Sequence, residues 1–116
     1  MLAAGPPALE PAELDRRRYS LTDLLDDLAG SADPGETAVI SWHVITVSAE
    51  LALVLAGAWL GGGKWLLREL RATDPRLADD LIAARDDPAR LAAVAEDVLG
   101  RAGGRLWAGY RQGGKL

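Results

Sequence analysis

Apolar residues recur three and four positions apart along most of this chain, which is the period of a helix and not of a strand. Leu14, Leu21, Leu24, Leu25 and Leu28 lie on one face of "PAELDRRRYSLTDLLDDLAG". Pro11 suits a first helical turn, where a missing N–H costs nothing. Ser20 with Asp23 offers a cap inside this stretch, so the pattern admits two short helices. Gly30 is a plausible stop. "DPGE" at 33–36 is a strong start, with Asp33 as cap, Pro34 in the first turn and Glu36 where a capping box wants an acid. From Ala38 to Leu60 the chain is almost wholly apolar. "AVISWHVITV" is β-branched and can be argued as a strand, but the capped start and the length favour helix.

Leu66, Leu67 and Leu70 mark a further helix in "KWLLRELRATD". Two more begin at Asp74-Pro75 and Asp87-Pro88. The first carries Leu77, Leu81 and Ile82; the second carries Leu91, Val94, Val98 and Leu99 and stops at Gly103-Gly104. "RLWAGYRQGGKL" is a short tail with Trp107 and Tyr110. The pattern predicts an all-α fold, a helical bundle of about five helices with a long apolar central helix. Residues 1–10 read as a linker, 11–112 as the bundle and 113–116 as a flexible tail. A chain that opens on a linker suggests that something once preceded it.

Composition narrows the chemistry. With 116 residues there is room for one domain. Cysteine is absent and His43 is the single histidine, which excludes disulfides, thiolate metal sites and His-rich metal sites. Seventeen acids against 13 bases give a net charge of −4, a poor balance for general nucleic-acid binding. The N-terminus has no basic and apolar leader, and with the absence of cysteine this favours the cytoplasm.

Four features invite a chemical reading. "AWLGGGKW" has the lysine spacing of a phosphate loop, but Ala58 stands where the first glycine belongs and Trp65 where a hydroxyl should hold magnesium. A helix precedes it where a strand is needed. The favoured reading is a break between helices, with an anion contact by Lys64 and the following helix N-terminus as the alternative. The apolar stretch 38–60 is long enough to span a bilayer, but it contains His43 and Glu50, and a buried central helix is preferred. His43, Thr46 and Glu50 share one helix face. His43 and Glu50 are two turns apart, too far for a direct acid–base pair, so each is expected to find a polar partner on a neighbouring helix. Asp23, Asp26 and Asp27 could face magnesium; a solvated face, or partners for Arg16, Arg17 and Arg18, is the expected role.

Three stretches, "RRRYSLTDLLDDL", "GAWLGGGKWLLRELRATDP" and "GGRLWAGY", resemble the helical C-terminal region of bacterial nucleotidyltransferase-like proteins, distant relatives of the aminoglycoside nucleotidyltransferases. The resemblance covers roughly residues 7–112. In that family an α/β domain bearing Gly-Ser and a strand-borne Asp-x-Asp pair does the chemistry with magnesium. Here Gly30-Ser31 is followed by no Asp-x-Asp, so the catalytic half is missing. The resemblance therefore implies a helical accessory domain that shapes an acceptor-substrate pocket and has no activity alone. Lys64, Trp65 and Arg68 would sit near the interdomain groove, with His43, Glu50, Tyr19 and Asp23 as further candidate substrate contacts and no metal ligand. Mg2+ and a nucleoside triphosphate would enter only with a catalytic domain in trans. The rival expectations are a stand-alone interaction module, for instance a homodimer through apolar faces, and a small single-span membrane protein. Neither nucleic acid nor membrane is the expected partner.

Overall fold

The computed structural model describes residues 9–107, and five helices account for 77% of them, with no strand. They are α1 (Pro11–Gly30), α2 (Pro34–Leu55), α3 (Lys64–Thr73), α4 (Pro75–Ala83) and α5 (Pro88–Ala102). Most of the linker at 1–10, Tyr110 and the tail at 113–116 lie outside the described residues.

Three of the helices start the same way. Asp33, Asp74 and Asp87 each accept a backbone N–H from three residues on, at 2.9, 3.1 and 3.2 Å. Each is followed by a proline that needs no hydrogen bond in the first turn. The carboxylate occupies a donor that the helix leaves unpaired and also complements its dipole. One aspartate per junction lets the last three helices follow one another through sharp turns.

α1 is one helix, not two. Ser20 does not cap a second segment; the helix runs through it, with no glycine or proline between Pro11 and Gly30. Leu21, Leu25 and Leu28 are buried along a single face, and a break would forfeit that burial. α2 also differs from its sequence boundary. It ends at Leu55 rather than near Leu60, because Gly57 turns left-handed at φ 70°. The N–H of Gly57 bonds the Val54 carbonyl at 3.1 Å and that of Ala58 the Leu53 carbonyl at 2.9 Å. This is a Schellman closure, and it satisfies the last carbonyls of an apolar helix. α5 stops at Gly103, φ 115°, as its glycine pair predicts.

α1, α2 and α5 pack against one another, and the α3–α4 pair docks on α2 and α5. α2 touches all four other helices, although it is second in the chain. Leu21, Leu51, Leu53, Leu70, Leu81, Leu91 and Leu99 are fully buried and form one core with Val44 and Val98. A buried leucine of this kind contributes about 1.5–3 kcal/mol. Because α3 and α4 lean on α2 without spanning it, they leave its outer flank open and expose the N-terminus of α3.

Candidate functional site

The glycine run joins Ala58–Leu60 to α3, and its three members do different jobs. Gly63 precedes α3 with φ 55° and ψ −130°, a backbone region that side chains disfavour strongly. A Cβ on Gly61 would meet the Trp65 Cβ at 2.8 Å and its backbone carbon at 3.1 Å. Gly62 has neither constraint: its φ is not positive, and a Cβ there meets nothing within 4 Å. The segment before the run is a helix, so the strand that a phosphate loop requires is replaced by α2.

Lys64 is the first residue of α3, exposed, with Nζ 6.0 Å from the Trp65 ring centroid. The Arg68 guanidinium lies over the same ring at 4.7 Å. One helical turn thus carries two cations on a shared indole, a cation–π arrangement. α3 has no acid in its first turn, and from Leu51 to Arg68 the acidic chain contains no carboxylate at all. The surface here is locally positive and apolar.

The other four candidates lie elsewhere. Glu50 faces α1, where Arg17 Nη1 reaches its Oε1 at 3.4 Å. Arg17 Nε also lies 2.8 Å from Glu13, off the hydrogen-bonding direction. Glu50 therefore has the neighbouring-helix partner that its position called for. His43 does not: it is exposed and has no hydrogen bond or ion pair among the described residues. The Thr46 hydroxyl donates to the Trp42 carbonyl of its own helix at 3.1 Å. Tyr19 and Asp23 are one turn apart on an exposed flank of α1, two and six residues on from the α2-facing Arg17. The seven candidates therefore occupy at least three places, and only Lys64, Trp65 and Arg68 form a local group.

The α1 acids and arginines do not pair as a block. Arg16 pairs with Glu13, Arg17 with Glu13 and Glu50, and Arg18 with Asp15 at 3.4 Å. Arg18 also closes the end of α5, donating to the carbonyls of Gly104, Gly103 and Arg105 at 2.9, 3.2 and 3.5 Å. A cation there complements the helix dipole. Asp26 pairs with Arg105 at 3.1 Å. Arg105 also donates to Glu96, and that bond holds its pKa above the ordinary value. Among the described residues no three His, Asp or Glu side chains gather to hold a metal ion.

Sequence reasoning missed the distribution of the tryptophans. Indoles are usually well buried, yet Trp42, Trp59, Trp65 and Trp107 are 66, 56, 55 and 55% exposed. It also missed a second apolar face on α2. Trp42, Ile45, Thr46 and Ala49 face Gly63, Leu66, Leu67 and Leu70 across a cavity of about 290 Å³, closed below by Leu81 and Ile82. Both sets have the spacing i, i+3, i+4, i+7. Trp42 and Ile45 also wall a second cavity of about 560 Å³, with Pro34, Thr37, Ala38 and Ser41 on α2 and Arg85, Asp86 and Pro88 opposite. The two cavities share Trp42 and Ile45 of α2 as walls. The signal was present as an apolar helix with two apolar sides. α2 is the one described helix long and apolar enough to cross a membrane, and less than half of that stretch is buried in the bundle.

No protein-family model, no curated protein and no solved structure matches this chain. Fold and surface together define a small all-α bundle with an uncovered aromatic and cationic face.

Proposed function

We propose that this chain is a helical accessory domain of nucleotidyltransferase type, working in the cytoplasm beside a catalytic domain supplied in trans. It does not transfer nucleotides alone. The observation that carries this reading is the α3 N-terminus: Lys64 and Arg68 grouped on Trp65, beside exposed Trp59 and Leu60, in a stretch free of carboxylates. Large exposed apolar groups rimmed by charge mark interaction sites. In this role the indoles lie against the catalytic domain, and the two cations attract anionic groups of the bound substrates at the groove. The order of the three resembling stretches supports the same assignment. Nucleotidyl transfer needs carboxylates that hold magnesium against a triphosphate; here the catalytic domain supplies them.

The test pairs the chain with the product of a neighbouring reading frame that carries Gly-Ser and Asp-x-Asp. The two together should transfer a nucleotidyl group with magnesium, and the chain alone should not. Lys64→Ala and Arg68→Ala should each slow the paired reaction by roughly tenfold or more, the usual scale for lost positioning. Magnesium-dependent transfer by the isolated chain, abolished in Asp23→Asn or Asp26→Asn, overturns the proposal. So does micromolar ATP binding by the isolated chain that disappears in Lys64→Ala, which restores a phosphate loop. The length and apolarity of α2 support a single-span reading instead; recovery without detergent after fractionation rejects it.

A further inference from the structure

We draw no further inference here: the strongest candidate, the pair of cavities along α2 that share Trp42 and Ile45 as walls, is an uncovered apolar face, and nothing in the structure shows what covers it.

Discussion

Replacing each glycine of 61–63 by alanine separates a structural loop from a phosphate-binding one. Gly63→Ala puts a Cβ on a residue held at φ 55°, ψ −130°, and a strained backbone of this kind costs about 1–3 kcal/mol. Gly61→Ala drives a Cβ to within 2.8 Å of the Trp65 Cβ and 3.1 Å of its backbone. Backbone cannot swing aside as a side chain can, so overpacking of about 1–3 kcal/mol follows. Gly62→Ala meets nothing and needs no positive φ. There the narrower unfolded ensemble stabilises by about 0.4–1 kcal/mol. For a domain of this size a change of 1 kcal/mol moves Tm by roughly 4 °C. Thermal unfolding followed by helical circular dichroism should therefore show Gly63→Ala and Gly61→Ala falling by about 4–12 °C, with Gly62→Ala level or slightly raised. Lys64→Ala should leave Tm nearly unchanged, because an exposed cation at a helix N-terminus opposes the dipole and Lys64 holds no ion pair among the described residues. Equal damage from Gly62→Ala and Gly63→Ala, or a neutral Gly63→Ala, refutes the reasoning.

Arg18→Ala should destabilise by about 1.5–3 kcal/mol, because it removes a charged donor from the carbonyls that end α5; urea unfolding measures it, and a loss below about 0.5 kcal/mol rejects the capping role. Ser48→Ala should raise stability by about 1 kcal/mol, since its hydroxyl is fully buried on α2 with no hydrogen-bond partner among the described residues; a less stable variant by the same assay shows that the hydroxyl is paired. The Asp74 carboxyl is held below the usual carboxylate range, first by Arg101 at 2.9 Å and then by the Leu77 N–H. Its folded pKa is depressed, so its contribution is present above the unfolded value of about 3.9 and is lost as pH falls through the folded value. Asp74→Asn should be less stable than the parent at pH 7, and the gap should narrow below about pH 4; a gap that widens on acidification contradicts the pairing.

The helices and their starts were legible because capping is local. The Asp33 cap reaches only three residues along the chain, so the sequence alone places both partners; Asp74 and Asp87, read there as Asp-Pro starts, cap in the same way. The leucine stripes of α1 and α5 were legible for the same reason. Within α1, Ser20 misled: a side chain that can cap competes with a continuous buried face, and only packing shows which wins. The end of α2 was hidden in an unbroken apolar run, where Gly57 rather than the glycine triplet turns the chain. Of the candidate residues, Lys64, Trp65 and Arg68 came together because they sit within one turn. His43, Glu50, Tyr19 and Asp23 depend on how α1 and α2 face each other.

By itself, then, the sequence determined an all-α chain of about five helices, the Asp33 cap, the Asp-Pro restarts and the α5 stop, because each rests on contacts a few residues apart. The tertiary structure alone decided that Arg17 takes Glu50, that Arg18 closes α5 across the bundle, that His43 is left without a partner among the described residues, and that α3 and α4 cover only part of α2. An apolar helix states that it must be covered. Where its neighbours stop, and so which flank remains open around Trp42, is set by the packing of residues far apart in the chain.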